Sequence, residues 1–431
     1  MTVSTRTPVP APTGGHFALQ RLVSVSTGQF AADHWGRLPL LSVAADLPGG
    51  FDDLFSNDAV DELVSRRGLR TPFLRVAKNG TTLPDRAFSD GGGVGAAIAD
   101  QVSDDELLRL FADGATLVLQ GLHRTWEPIL AFSQDLAADL GHPTQVNAYV
   151  TPAQNTGFSD HYDVHDVFVL QIAGEKRWRI RRPVHDSPLR DEPWTDRRAA
   201  VEAAASEPPL IEATLRPGDC LYLPRGYLHA ATALGDVSTH VTIGVHPWTR
   251  RHLTDELVSL AVRRASEDER VRQSLGLRVD LGDETSWQAD LDVARESLVR
   301  AIRDLPAADL VDALVASRRR AQRAAPVAPV AQVRAATNLD SDDTVTLRPH
   351  LEARIVPANA PRAGNGHTDS FEAVLRSRAG ELALSGVEVE TVRRFLADGR
   401  ASVSDIGLPL SRRLLLAGVG IVDSREEADP S

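Results

Sequence analysis

The 431-residue sequence has one cysteine, Cys220, one methionine, Met1, and only two lysines, Lys78 and Lys176, among its 47 basic residues. A single cysteine excludes a disulfide framework and suits a reducing, cytoplasmic setting. Aromatic residues are 5% of the chain, and no apolar run approaches membrane-spanning length. Positive charge is in deficit. With 59 acidic residues the formal net charge is −12, which disfavours broad, nonspecific nucleic-acid binding and is compatible with a basic protein or peptide partner. The hydrophobic fraction of 42% is ordinary for a globular protein, and 431 residues exceed one compact core, so two or three domains are expected.

Against that sparse background two segments stand out. HYDVHDVFVLQIAGEKRWRI runs from His161 to Ile180, and PGDCLYLPRGYLHAAT from Pro217 to Thr232. In a strand, residues two apart share a face, so His161 and Asp163 converge while Tyr162 turns away. Pro217-Gly218-Asp219 marks a turn, Cys220 to Leu223 an apolar strand, and Pro224-Arg225-Gly226 a second break that delivers His229. Two histidines and a carboxylate on one face of an ion leave the other face open, the donor set of non-haem Fe(II) that handles O2 and a co-substrate. The competing reading makes His161 and His229 ordinary hydrogen-bonded histidines at strand ends, but it leaves the combined pattern unexplained.

Lys176 lies between these segments in a chain that otherwise prefers arginine. An ammonium is a compact charge on a flexible stem, suited to gripping the far carboxylate of a dicarboxylic acid in a narrow barrel. Lys78 reads instead as a solvated turn lysine. His165 shares the parity of His161 and Asp163 but lies further along, as pocket lining or a plain structural residue. Trp178 is expected to pack on the sheet, Arg225 and Tyr227 to face a substrate mouth, and Cys220 to be a small core residue rather than a reactive thiol.

Together with QVNAYVTPAQNTGFSDHYD before the first segment, and FAADHWGRLPLL from Phe30 to Leu41, these motifs resemble the JmjC-type ribosomal oxygenases, a branch of the cupin-fold 2-oxoglutarate oxygenases. The resemblance is dense over residues 28–248. It implies His161, Asp163 and His229 as iron ligands, and Lys176 as partner of the 2-oxoglutarate 5-carboxylate. It also implies Asn147 as a polar residue lining the co-substrate pocket, and His240 as a supporting histidine on the strand behind the metal. The expected cofactors are Fe(II), 2-oxoglutarate and O2, consumed in hydroxylating a C–H bond. The chain departs from the pattern at Gly244, where relatives carry a small hydroxyl residue.

The expected fold is α+β: a double-stranded β-helix (jelly roll, JmjC/cupin), then a helical bundle and a C-terminal winged-helix domain. Residues 1–15 read as a disordered leader and 16–250 as the catalytic domain, with helices over Asp104 to Phe111 and Trp126 to Leu140. Residues 181–209 read as a long charged excursion. Over 251–323 leucines recur at helical spacing (Leu253, Leu257, Leu260), followed by Trp287, Leu291, Ala294 and Leu298. The resemblance implies that this bundle forms a homodimer. Residues 324–339, with APVAPVAQV, read as a linker. Over 340–431, TVTLRPH and ARIVPA read as strands, and Ser370 to Arg378 and Glu388 to Ala397 as helices. Arg393, Arg394, Arg412 and Arg413 lie among acidic residues, so the wing is expected to serve structure or protein contacts rather than DNA.

Three functions fit. The first is a 2-oxoglutarate- and Fe(II)-dependent hydroxylase of a protein side chain, plausibly histidine or arginine of a ribosomal protein. The second is the same chemistry on a peptide natural-product precursor or small molecule, with demethylation as a variant. The third is a non-enzymatic cupin-like DNA-binding regulator.

Overall fold

A computed structural model describes residues 18–78, 80–95, 97–153, 155, 159–358 and 371–422. The leader expected over 1–15 lies outside the described residues. The chain divides into two compact units, Met1–Pro247 and Trp248–Ser431.

The first unit opens with α1 (Thr27–Gln29), β1 (Leu40–Ser42), α2 (Asn57–Arg66), β2 (Leu74–Lys78) and β3 (Thr81–Thr82). A small ribbon of β4 (Ser89–Asp90) and β5 (Gln101–Val102) leads to α3 (Asp104–Ala112), β6 (Thr116–Leu119), α4 (Leu122–Thr125) and α5 (Glu127–Leu140). Then come β7 (Thr144–Thr151), β8 (Asp166–Arg181), α6 (Arg198–Ala205), β9 (Ile211–Leu215), β10 (Cys220–Leu223) and β11 (Leu228–Val245). The strands form an antiparallel sheet in the order β1-β10-β8-β11-β7-β6-β2-β3, with β9 also paired to β8.

The two longest strands, β8 and β11, each serve two halves of this sheet. Their pairing runs from Leu228↔Arg181 to Leu234↔Glu175, shifts register at a bulge, and resumes to Val245↔Asp166. Gly174 makes the bend possible: its φ is +63°, and a Cβ there would come within 2.2 Å of the Val237 carbonyl oxygen. Alternation then sorts the side chains. On β7, Val146, Ala148 and Val150 enter the core with Val241, Ile243 and Val245 of β11, and α5 covers it with Ile129, Phe132 and Leu136. The opposite face carries Tyr149, His240 and Thr242, which line a cavity. The polar excursion over 181–209 contains a short helix, α6, whose Val201 packs on Tyr162 and Leu228.

The second unit begins with α7 (Arg250–Ala265), α8 (Gln288–Asp304) and α9 (Ala307–Ala321). Of the expected stripe, Leu298 packs against their core, but the buried residues themselves are alanines. Ala261, Ala265 and Ala301 are buried, whereas Leu253 is exposed, because small side chains let α7 approach α8 closely. Two further expectations need correction. The supposed linker over 324–339 contains α10 (Pro329–Thr337), with Ala336 and Leu339 buried. After β12 (Thr344–Leu347) and β13 (Arg354–Pro357), the supposed helix at 370–378 is a strand, β14 (Ala373–Ser377), hairpinned to β15 (Gly380–Leu384). The unit closes with α11 (Gly386–Asp398), β16 (Arg400–Ser402), α12 (Val403–Ile406), α13 (Leu408–Leu416) and β17 (Gly420–Val422).

Candidate functional site

The cavity of the first unit has a volume of about 250 Å³. His161, Asp163 and His229 line it together, and one potential ligand atom from each lies within 4.8 Å of the others. Their placement rests partly on irregular backbone. His161 forms an isolated antiparallel bridge with His229, exchanging N–H···O bonds of 2.8 and 3.2 Å. Asp163 precedes β8 rather than lying in a strand, which corrects the simple two-residue parity argument. It is tied instead to the Pro-Arg-Gly bend, because the Gly226 N–H donates to the Asp163 carbonyl at 3.0 Å. Tyr162 turns away as expected and is buried, its hydroxyl donating to the Glu192 carbonyl.

Both histidines present the same nitrogen to the cluster. His161 Nδ1 lies 2.7 Å from the Ser159 carbonyl oxygen and His229 Nδ1 lies 3.1 Å from that of Tyr227. A carbonyl only accepts, so each Nδ1 carries a proton and Nε2 is the nitrogen left to face a metal, the orientation a ligating imidazole needs. His229 Nε2 is 3.7 Å from Asp163 Oδ2. Burial, reinforced by the neighbouring His161, pushes the His229 pKa down to about 4, so the ring is neutral near pH 7. Burial alone would raise the Asp163 carboxyl, but the imidazoles of His165, His229 and His161 outweigh it and hold the pKa below its ordinary value. Two imidazoles and a carboxylate fit a divalent transition metal, and among them suit Fe(II) with open positions.

Lys176 is buried on the same cavity. Its Nζ donates to Thr151 Oγ1 at 3.1 Å and lies 3.4 Å from His240 Nδ1. No carboxylate pairs with it among the described residues, and burial lowers its pKa to about 7. His240 lies between cavity and sheet, stacked on Tyr149 at 4.9 Å and edge-on to Trp178 at 5.4 Å. Burial and then the Lys176 charge keep the His240 ring neutral. Asn147 is not among the residues lining this cavity. Its Oδ1 accepts from the Gly121 N–H, and its side chain hydrogen-bonds the Tyr149 hydroxyl, so it touches the cavity through Tyr149.

Other expectations sort as follows. Trp178 does pack on the sheet, but it also lines the cavity, and its buried Nε1 has no partner among the described residues. Arg225 anchors rather than opens a mouth: its N–H donates to Asp166 Oδ1 at 3.0 Å, while Tyr222 donates to Oδ2 at 2.8 Å. The Tyr227 hydroxyl donates to the Arg37 carbonyl. Lys78 ends β2 and pairs with Asp113 rather than standing free in a turn. Cys220 is buried, which pushes its thiol pKa up and leaves it unreactive.

Several cavity residues escape the sequence reading, among them Thr116, Tyr149, Trp194, Thr242 and Arg75. Arg75 on β2 lines the site, forms no ion pair among the described residues, and has a buried Nε without a partner. Burial and then the Asp163 charge raise the Tyr149 pKa to about 12, with the Arg75 charge offsetting part of the rise. Strand alternation puts Arg75 opposite the buried Leu74 and Val76, but only the fold shows that this face looks into the cavity.

Residues 126–253 match the family model of the JmjC domain. The chain is 33% identical over 221 residues to Ribosomal oxygenase 1 of Gallus gallus, covering 50% of this chain and 34% of that protein. It is 27% identical over 267 residues to the bifunctional lysine-specific demethylase and histidyl-hydroxylase NO66 of Drosophila persimilis, covering 61% and 36%. The chain thus spans about a third of the length of these curated relatives. Among solved structures it resembles YcfD of E. coli, with a TM-score of 0.53, 14% identity, and coverage of 94% of this chain and 100% of that one. A second YcfD structure, a ribosomal oxygenase in complex with cobalt and succinic acid, has a TM-score of 0.51 at 14% identity, covering 93% and 99%. At such identity the likeness shows the fold, which is that of the JmjC/cupin proteins.

Proposed function

From a chain that carries a JmjC domain and belongs to the ribosomal-oxygenase family, we propose an Fe(II)- and 2-oxoglutarate-dependent oxygenase that hydroxylates a protein side chain, histidine or arginine of a ribosomal protein. The observation that carries this reading is a three-ligand cluster and an unpaired buried lysine on one cavity. His161, Asp163 and His229 would hold the iron. Bound Fe(II) with 2-oxoglutarate supplies the oxidising power of O2. The chain's own part is orientation and exclusion of water.

Lys176 takes the remote carboxylate, gaining the anion it lacks and thereby its proton. The Thr151 hydroxyl, which accepts from that ammonium, fixes its direction. Val169, Trp178 and Ala230 make the cavity wall dry, which strengthens each electrostatic contact inside it. The names of the relatives support a protein substrate, through the words ribosomal oxygenase and histidyl-hydroxylase.

Three finer readings belong with this one. The chain forms a homodimer through α7–α9, whose exposed Leu253, Val258 and Val262 offer an apolar surface. It works in the cytoplasm, consistent with a single buried thiol. Its last part is winged-helix-like, with α11–α13 beside the sheet β16-β12-β17.

Anaerobic titration of the apo-protein with Fe(II) and 2-oxoglutarate tests the site through the weak visible metal-to-ligand charge-transfer band. The band is expected in the wild type and absent in His161→Ala. No band in folded wild-type protein would remove the oxygenase reading and favour a non-enzymatic regulator. Mass spectrometry of ribosomal-protein peptides incubated with the active enzyme then tests the substrate class.

A further inference from the structure

The second unit gathers five arginines around the end of α9 and the β13–β14 pair. Arg318 Nε and Arg378 Nη2 both donate to the Glu352 carboxylate, at 2.7 and 3.1 Å. Arg319 Nε donates to the Glu352 carbonyl at 3.2 Å. Arg354 bonds Asp312 of α9 at 2.8 Å, and Arg376 pairs with Glu381 at 2.8 Å. Four guanidinium groups therefore pair with three carboxylates, and the fifth, Arg319, meets only a carbonyl.

The backbone makes this crowding a built feature. Arg354 and Arg376 are direct cross-strand partners on β13 and β14, a position where like charges repel. Ile355 and Leu375, the next pair along, belong to the apolar core, so alternation turns the arginines to the other face. Asp312 and Arg319 lie two turns apart on α9 and meet that same arginine-bearing face. Basic residues at a helix C-terminus offset its dipole, which accounts for Arg318 and Arg320. It does not account for Arg319, whose Nη2 is buried without a partner, nor for the equally unpartnered Nε atoms of Arg354 and Arg378. Arg319 has no carboxylate within ion-pair distance among the described residues. Burial, and then Arg354, pushes its pKa down, yet an arginine cannot shed its proton at neutral pH.

We infer that Arg319, Arg354 and Arg376, between α9 and the β13–β14 pair, form a binding site for a phosphate-class oxyanion, free or in an RNA backbone. Several guanidinium forks converging from a helix and a sheet suit an anion with several oxygens better than a single carboxylate. The bound anion supplies the charge that the three local carboxylates do not. A local site of this kind is compatible with a net charge of −12, because it needs no broad basic surface. It is independent of the oxygenase reading.

The test uses the full chain and two probes: inorganic phosphate by calorimetry, and a fluorescein-labelled single-stranded RNA by anisotropy over a range of salt. Saturable phosphate binding, weakened at least tenfold in Arg319→Gln and in Arg376→Gln and less in Arg319→Lys, is the expected result. Circular dichroism confirms that each variant is folded, and the more exposed Arg376 provides the reading should Arg319→Gln unfold. RNA binding whose salt slope falls by about one in the variants identifies the backbone as the source. Phosphate binding without RNA binding identifies a free anion. Neither probe binding, or both binding equally to wild type and folded variants, overturns the site.

Discussion

The two ends of the cavity are built differently. At the metal-ligand end, each imidazole has its outer nitrogen committed to a backbone carbonyl, and Asp163 is tied through its own carbonyl to the Gly226 bend. At the other end, one buried ammonium rests on a single hydroxyl, with a neutral imidazole 3.4 Å away. The first end is preorganised and stable when empty, with lone pairs already aimed. The second is poised: its cation has no counter-charge until a ligand brings one. The arginine cluster of the second unit sharpens the point. A lysine with a pKa near 7 is only partly protonated at neutral pH when the site is empty, whereas an arginine keeps its charge and keeps its need for an anion.

The largest effect should follow from breaking the preorganised end. His229→Ala should lower metal affinity by more than about a hundredfold, beyond the roughly 10–100-fold typical of losing an outer-shell partner, and abolish turnover. Its melting temperature should hardly fall, since the ring was neutral and the space remains polar. Mn(II) binding followed by electron paramagnetic resonance, with calorimetric melting, reads both. Retained metal binding would remove His229 from the ligand set.

The poised end should respond with the opposite sign in stability. Lys176 has a pKa of about 7 when folded and 10.5 as a free side chain, so between those values the unfolded chain binds more protons. Stability without ligand should therefore rise from about pH 7 to about pH 10.5, and the burial cost is fully present below pH 7. Lys176→Met removes the charge. It should stabilise the empty protein below pH 7, by roughly 5 kcal/mol at most, and flatten the slope, while weakening 2-oxoglutarate binding at least tenfold. Melting curves at several pH values, with and without 2-oxoglutarate, check this. An unchanged slope would mean that Lys176 titrates normally.

How far these features were legible varies with their physical origin. His240 and Thr242 share a face of β11 through strand alternation, which a local window contains, whereas Tyr149 joins them only through the β7–β11 register. Asn147 has the same parity but is drawn to Gly121, a contact that depends on a turn after β6. The stretch of β14 reads locally as a helix because EAVLR has good helix formers, and cross-strand pairing, which no local window contains, overrides them. Pro329 suggested a linker, yet it opens α10, where its missing N–H costs nothing.

An intermediate effect should come from the bend joining the metal-ligand segments. Gly226 has φ +91°, and a Cβ there would lie 2.8 Å from the His185 carbonyl oxygen and 2.9 Å from Pro188 Cδ. Gly226→Ala should cost about 1–3 kcal/mol and weaken metal binding with it, because the same N–H holds Asp163. Urea unfolding and Mn(II) affinity measured on one preparation test the coupling. Lost stability with unchanged metal affinity would show that the ligand end is held without the bend.

The smallest effect probes the cavity's continuation along β11. Gly244 follows His240 and Thr242 on the same face, where a Cβ would come 3.0 Å from His165 Cε1 and 3.2 Å from Gln145 Cγ. The absent side chain is thus what lets the His165 ring lie over the strand, beside the His246 ring at 5.1 Å. Gly244→Ala should press that ring aside by a few tenths of an ångström, at about 1 kcal/mol in stability. The cavity contacts of Lys176 and the three ligands are untouched, so Fe(II) and 2-oxoglutarate affinities should stay within about twofold, below 0.5 kcal/mol. On the proposed function, any larger change should appear in the KM for the substrate, since Gln145, the cross-strand partner of Gly244, continues the Tyr149 face of β7 away from the cavity-lining residues. A changed 2-oxoglutarate affinity instead would mean that this stretch of β11 belongs to the poised end, and that the two ends are mechanically one.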